Sequence, residues 1–90
     1  MTETITLKIM SPVAVVWEAQ AVSISAENSE GIFDILPDHA RFMTLMSNTP
    51  ITVELPDAEP KIFTFENAVL FFEDNNAVIY IQEALREITE

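Results

Sequence analysis

The chain has little glycine, few basic residues and no cysteine, and each shortage excludes a class of function. A single glycine cannot form the glycine-rich loop that cradles phosphates, so neither nucleotide chemistry nor a cofactor is expected. The absence of cysteine excludes a disulfide framework and a thiolate metal site, which fits a reducing compartment. The N-terminal residues carry acids and hydroxyls where a signal or transit peptide carries basic residues, so no targeting segment is predicted.

The shortage of basic residues also narrows the range of partners. The 15 acidic residues against 4 basic ones give a net charge of −11, which repels a phosphate backbone and disfavours nucleic acid as a partner. The same charge opposes adhesion to anionic lipid, and no apolar run approaches the roughly 18 to 20 residues that span a bilayer. We therefore expect a protein of the bacterial cytoplasm that contacts a membrane only through another protein.

The dominant period of the sequence is two, which is typical of half-buried β-strands. With 90 residues and 49% hydrophobic content, the chain suits one small folded domain. Apolar segments alternate with turn residues at close spacing, which predicts an all-β fold, an antiparallel β-sandwich of about eight to ten short strands. The predicted strands are residues 5–9, 15–26, 32–36, 42–46, 51–55, 61–65, 68–72 and 77–81.

Three local patterns refine this prediction. The apolar parity of residues 15–26 changes near Ala21, which indicates a bulge or a bend there. Asp74 and Asn75 tolerate the left-handed conformation and are predicted to form a hairpin turn. Residues 83–90 have a helical pattern, although eight residues are too few for a helix that stands alone.

Each polar residue that is a candidate for catalysis or ion binding also has a plainer, structural interpretation. His39 is the only imidazole and a candidate general base, but no nucleophile motif accompanies it, so a hydrogen-bonding loop residue is favoured. The acidic pairs Asp57 with Glu59 and Glu73 with Asp74 are candidates for glycoside hydrolysis or for a divalent-ion site. They lack the spacing of a calcium loop, so solvated turns are favoured, and a small carboxylate-dependent hydrolase stays an alternative.

The aromatic residues present a similar choice. A ligand-stacking pocket or a packed core would use Trp17, Phe63, Phe65, Phe71 and Phe72. Core packing is favoured because sandwich interiors are filled by such side chains. The run from Val69 to Phe72 has apolar side chains on both strand faces, so one face is predicted to be a protein interface. A stand-alone β-sandwich that binds a small apolar ligand stays the alternative function.

Residues 30–40 read EGIFDILPDHA and resemble the G-x-F-G-I-L-P-G-H-A signature of the epsilon subunit of F-type ATP synthases. Weaker similarities follow in the family's order: LKIMSP at 7–12, VVWEA at 15–19, VSI at 22–24, TFENAVLFF at 64–72 and VIYI at 78–81. The chain departs from the family where glycine is usual, at Asp34, Asp38, Glu66 and Asn67, and where a ring-contacting glutamate is common, at Ile32. Of these, Asp38 and Asn67 can adopt a positive φ at modest cost.

The resemblance implies a non-catalytic central-stalk (rotor) subunit of a rotary ATP synthase. Such a subunit couples the gamma subunit to the membrane c-ring in proton- or sodium-driven ATP synthesis. It lies on the cytoplasmic side of the bacterial inner membrane and is attached there through the complex. The c-ring-facing loop is expected to comprise Ile32, Asp34, Pro37, Asp38 and His39. The possible gamma-facing patch comprises Val69 and Phe71.

The resemblance also sets the expected domain organisation. The family's sandwich is followed by two antiparallel helices that inhibit ATP hydrolysis and in some members bind ATP. The present sequence reaches residue 90 where that hairpin would begin. We expect an epsilon-like sandwich domain over residues 1–84 and the start of a short helix or a linker over residues 85–90, without the helical hairpin and its functions.

Overall fold

The computed structural model of the chain describes residues 4–81 and 86–88. It contains ten strands, β1(Ile5–Met10), β2(Val15–Ala21), β3(Ser23–Asn28), β4(Gly31–Ile35), β5(Phe42–Ser47), β6(Ile51–Glu54), β7(Lys61–Thr64), β8(Asn67–Glu73), β9(Asn76–Ile81) and β10(Arg86–Ile88). These described residues include no helix, and hence none long and apolar enough to cross a membrane. The predicted all-β class is confirmed.

The strands form two five-stranded sheets that pack face to face as a sandwich. Sheet A has the order β2-β1-β9-β8-β5, and sheet B has the order β10-β7-β6-β3-β4. Neighbouring strands are antiparallel except β1 and β9, which are parallel. This exception to the predicted antiparallel pattern is possible because β1 and β9 are far apart in sequence, and parallel pairing needs a long connection.

Period-two patterning explains the core between the sheets. On β1, Ile5, Leu7 and Ile9 are completely buried, while the residues between them are half-buried. No polar or charged side chain is buried in the part of the chain that the structure describes. The aromatic residues Phe63 and Phe72 lie in this core, so core packing is the correct interpretation for both of them.

The change of apolar parity near Ala21 marks the passage of the chain from sheet A to sheet B. β2 ends at Ala21, a bend follows at Val22, and β3 begins at Ser23 in the other sheet. The amide of Val22 donates to the carbonyl oxygen of Glu54 at 2.8 Å, which fixes the bend against β6. The predicted bend is confirmed, and its cause is a change of sheet.

The predicted hairpin turn joins β8 to β9. Asp74 and Asn75 have φ values of 52° and 60°, which match the two central residues of a type I′ turn. Asp38 also has a positive φ, 69°, as expected for a position where the resembled family has glycine. By contrast, Asp34 and Asn67 lie in strands β4 and β8, where a positive φ is not needed.

The prediction of a C-terminal helix is wrong for Arg86–Ile88. These residues form β10, which pairs with β7 through Arg86↔Thr64 and Ile88↔Ile62. A helix of eight residues is marginal in water, whereas the edge of β7 offers unpaired backbone groups to a passing strand. The other residues of the predicted helix lie outside the described residues, and the domain boundary after residue 84 stays a prediction.

Gly31 begins β4 with a φ of 127°, a conformation that L-residues rarely adopt. An added Cβ would meet no heavy atom within 4 Å, so any cost of a side chain comes from the backbone alone. We expect Gly31→Ala to lower the free energy of unfolding by about 1–3 kcal/mol in urea denaturation. The control Ser29→Ala, in the preceding turn, should change it by less than about 0.5 kcal/mol. Equal stability of the two variants would contradict the strain argument.

Candidate functional site

The residues predicted to face the ring lie on an edge strand and on the connection that follows it. Ile32 and Asp34 share the outward face of β4, which is an edge of sheet B, and the side chain of Ile32 is 80% exposed. The hydroxyl of Ser25 donates to the Oδ1 of Asp34 at 2.5 Å across the β3–β4 pair. Pro37, Asp38 and His39 follow the end of β4, so the predicted residues span a strand and a loop.

The side chain of Asn75 fastens this loop to the β8–β9 hairpin. The amide of Asp38 donates to the Oδ1 of Asn75 at 2.6 Å, and the Nδ2 of Asn75 donates to the Oδ1 of Asp38 at 3.2 Å. The two residues are 37 positions apart in the sequence. We call this reciprocal pair the Asp38–Asn75 clasp. It was not predicted from the sequence.

His39 is held by contacts of a structural kind. Its Nδ1 lies 2.7 Å from the carbonyl oxygen of Ala40, and its amide donates to the carbonyl oxygen of Leu36 at 3.1 Å. Its ring meets the rings of Phe42 and Phe72 edge-on, with centroid distances of 5.6 and 5.8 Å. The histidine therefore packs the exposed loop against the end of the core, as the loop-residue interpretation expects.

The acidic pairs are exposed or half-exposed, and all but Glu73, the last residue of β8, lie in turns or loops. Glu73 forms an ion pair with Arg41, with 2.7 Å between Oε2 and Nη2, and Asp57 and Glu59 are exposed. Within residues 4–81 and 86–88, no group of three histidine or acidic side chains is placed to hold a metal ion. An exposed ion pair of this kind contributes little to stability.

The outward face of sheet A carries a continuous apolar surface, which we call the apolar face. Strand register places its residues in two adjacent rows: the paired positions are apolar from β5 to β2 in the first row and from β5 to β9 in the second. One row is Leu45, Val69, Tyr80, Met10 and Val15, and the other is Met43, Phe71 and Val78. Leu45 is 72% exposed, Met43 67% and Tyr80 51%, so these large side chains meet water. Val69 and Phe71, the predicted patch, lie in the middle of this face.

Polar side chains limit the apolar face at both ends. Ser47 and Asn67 pair at one end and share a hydrogen bond of 3.0 Å between Oγ and Oδ1. At the other end, the side chains of Thr6 and Gln20 are hydrogen-bonded across β1 and β2, with 3.0 Å between Oγ1 and Nε2. Lys8 and Glu18 face each other where the second row reaches β1 and β2. The apolar face is thus a bounded patch with a polar rim, which is the composition of a protein interface.

A groove of about 490 Å³ adjoins the first row of the apolar face. Its walls include Met10, Leu45, Val69 and Tyr80, which are most of the residues of that row. The stacking pocket proposed for the alternative function would use the core aromatics, but Phe63, Phe65 and Phe72 are buried and unavailable. The groove is therefore best regarded as part of the apolar face.

Sequence reasoning missed the contributions of Met43, Leu45 and Tyr80 to this face. Residues 42–46 read FMTLM, and the outward parity of Met43 and Leu45 is visible once Phe42 and Met46 are assigned to the core. That β5 lies next to β8 cannot be predicted from the local sequence, because the order of strands in a sheet depends on long-range pairing.

Residues 4–87 match the family model of the ATP synthase delta/epsilon chain, beta-sandwich domain. That match covers more than half of the chain, so the protein belongs to this family.

The curated relatives are named ATP synthase epsilon chain. The relative from Nitratiruptor sp. is 25% identical over 83 residues, which cover 92% of this chain and 64% of the relative. The relative from Clostridium novyi is 29% identical over 84 residues, covering 93% of this chain and 64% of the relative. The relative from Rickettsia bellii is 36% identical over 63 residues, which cover 69% of this chain and 58% of the relative. The chain thus spans less than two thirds of the length of these relatives.

Solved structures show the same fold. A chain of the Euglena gracilis mitochondrial ATP synthase superposes with a TM-score of 0.82 at 14% identity, covering 96% of this chain and 53% of that chain. A second match is a chain in the central stalk and c-ring structure of the Tetrahymena thermophila mitochondrial ATP synthase. It superposes with a TM-score of 0.71 at 13% identity, covering 88% of this chain and 63% of that chain. At these identities the comparison establishes the sandwich architecture.

Proposed function

We propose that this chain is a central-stalk subunit of a rotary F-type ATP synthase and acts as a non-catalytic adaptor. In this role it joins the gamma subunit to the c-ring in proton- or sodium-driven ATP synthesis, on the cytoplasmic side of a bacterial inner membrane. The observation that carries the proposal is the bounded apolar face on a sandwich of the delta/epsilon family. The membrane contact is indirect, through the complex.

The apolar face is the proposed gamma-binding surface. Monomeric proteins rarely leave a large contiguous apolar patch in water, and a patch with a polar rim is typical of a protein partner. Phe71 and Tyr80 supply aromatic side chains near its centre, where interfaces concentrate their binding energy. Because apolar contact dominates this surface, gamma binding should depend only weakly on salt.

The proposed ring-facing surface is more polar, because it combines Asp34, Asp38 and His39 with the apolar Ile32 and Pro37. It consists of the outward residues Ile32 and Asp34 of β4 and of the loop at Pro37, Asp38 and His39. Such a surface suits a contact that is charged and exposed, so its strength should fall as salt screens it. The apolar face lies on sheet A, whereas the ring-facing surface lies on β4 of sheet B and on the connection after it, an arrangement suited to transmitting torque.

Variants of the ring-facing residues test this assignment. We expect Ile32→Arg and His39→Ala to lower ATP-driven ion pumping in reconstituted membranes, while the affinity for gamma changes by less than about twofold, because both side chains are exposed and lie outside the apolar face. The control Ala58→Arg adds the same charge as Ile32→Arg in the exposed turn between β6 and β7. It should pump like the wild type.

Two results would count against the proposal in different ways. Equal pumping by the wild type and both loop variants would remove the ring assignment and leave the gamma surface intact. Failure of the wild-type chain to bind a gamma subunit from its own organism would defeat the adaptor role as a whole.

A further inference from the structure

The β8–β9 hairpin connects the two proposed contact surfaces. β8 carries Val69 and Phe71 of the apolar face, and the turn that ends it carries Asn75, which holds Asp38 in the clasp. A path of only a few residues along β8 therefore leads from the gamma-facing surface to the ring-facing loop. The ring of His39 also contacts Phe42 and Phe72 of sheet A, but the clasp supplies the hydrogen bonds between the loop and the hairpin.

Asn75 is well placed to hold the loop because its own backbone is fixed. Its carbonyl oxygen accepts a hydrogen bond from the amide of Thr6 at 2.9 Å, which ties the turn to β1. Its φ of 60° completes the type I′ turn and directs the side chain at the loop. The backbone of Asn75 thus belongs to sheet A, and its side chain binds the connection that leaves sheet B.

The loop needs such a partner. Asp38 has a φ of 69°, a conformation that costs a non-glycine residue some free energy, and its side chain is exposed. The neighbouring ion pair between Arg41 and Glu73 has exposed fractions of 72% and 40%, so solvent screens it strongly. The clasp is directional and supplies both a donor and an acceptor, so it defines the position of the loop better than the ion pair does.

We propose that Asn75 is a positioning residue for the ring-facing loop. Its side chain fixes Asp38 and its neighbours to the hairpin that carries the centre of the apolar face, so that the two surfaces move as one body. The assignment of the two surfaces to gamma and to the ring rests on the proposed function, but the clasp itself can be tested without that assignment.

The first measurement is amide hydrogen exchange of the isolated chain, followed by NMR and expressed as protection factors. Asn75→Gly keeps the positive φ and removes both side-chain bonds, so the amide of Asp38 should exchange about three- to tenfold faster. The double variant Asp38→Asn with Asn75→Asp, which we call the exchanged pair, swaps the two side chains at unchanged net charge. It restores one side-chain donor and one side-chain acceptor, with the donor now at position 38. It should recover most of the protection.

A matched control is available at another left-handed asparagine. Asn48 has a φ of 52°, and its hydrogen bond to the carbonyl oxygen of Glu66 uses the backbone amide. Asn48→Gly makes the same chemical change at the opposite end of β5 and should leave the exchange of the Asp38 amide unaltered. Unchanged protection in Asn75→Gly, or no recovery in the exchanged pair, would overturn the clasp.

The second measurement uses the assembled ATP synthase that contains each variant. Asn75→Gly should lower ATP-driven pumping while gamma affinity stays within about twofold of the wild type, and the control Asn48→Gly should pump like the wild type. A faster exchange with normal pumping would overturn the positioning role. If the wild-type chain fails to bind gamma, the proposed function and the positioning role fall together, whereas the exchange data still decide the clasp.

Discussion

Phe71→Arg is expected to weaken binding of the chain to its gamma subunit by at least about 30-fold, the effect of losing an interface hot spot. Phe71 lies on β8, an interior strand of sheet A, opposite the paired positions Met43 and Val78 on the apolar face. An arginine there places a charge in the middle of a surface that must lose its water on binding. Isothermal titration calorimetry against purified gamma would measure the change.

The matched control for this variant lies on the opposite sheet. Thr52 occupies the outward face of the central strand β6, between the buried residues Ile51 and Val53. Thr52→Arg introduces the same side chain at an equivalent position of sheet B and should leave gamma affinity within about twofold of the wild type. Equal losses in the two variants would mean that the apolar face is not the gamma-binding surface.

Phe72→Ala should have the largest effect on stability. Phe72 is 0% exposed and belongs to the hydrophobic core, so its truncation should lower the free energy of unfolding by about 3–5 kcal/mol. A domain of 90 residues has a total stability of roughly 5–13 kcal/mol, so this loss is a large fraction of it. Urea denaturation followed by circular dichroism would measure it.

The neighbouring residue provides the control for this second variant. Phe71 is on the same strand and points outward, with 36% of its side chain exposed. Phe71→Ala removes the same ring and should cost less than about 1 kcal/mol in stability, because the ring is already in contact with water. Comparable destabilisation by the two variants would contradict the assignment of Phe72 to the buried face of β8 and of Phe71 to its exposed face.

Local sequence patterns predicted most of the strands, because alternation depends only on which face of a strand is buried. Ile5, Leu7 and Ile9 illustrate this, since all of them lie in the core as their spacing indicates. The turn at Asp74 and Asn75 could also be predicted from the sequence, because both residue types favour the left-handed conformation. The strand at Arg86–Ile88 was missed because its partner β7 is distant in sequence, and helix propensity does not report on a free sheet edge.

Only part of the candidate site could be predicted from the sequence. Val69 and Phe71 were found because their strand is apolar on both faces. Met43 and Tyr80 join them through the order β9-β8-β5, which depends on long-range pairing. The clasp of Asp38 with Asn75 depends on the same pairing, so no local pattern reveals it.

Hydroxyl-radical footprinting of the chain with and without gamma tests the adaptor role most directly. Met43 and Tyr80 are 67% and 51% exposed on the apolar face, and Ile32 is 80% exposed on the outward face of sheet B, so all of them should be oxidised in the free chain. We expect gamma to protect Met43 and Tyr80 and to leave the oxidation of Ile32 unchanged. Unchanged oxidation of Met43 and Tyr80 in the complex, or the absence of any complex with gamma, would contradict the proposed adaptor.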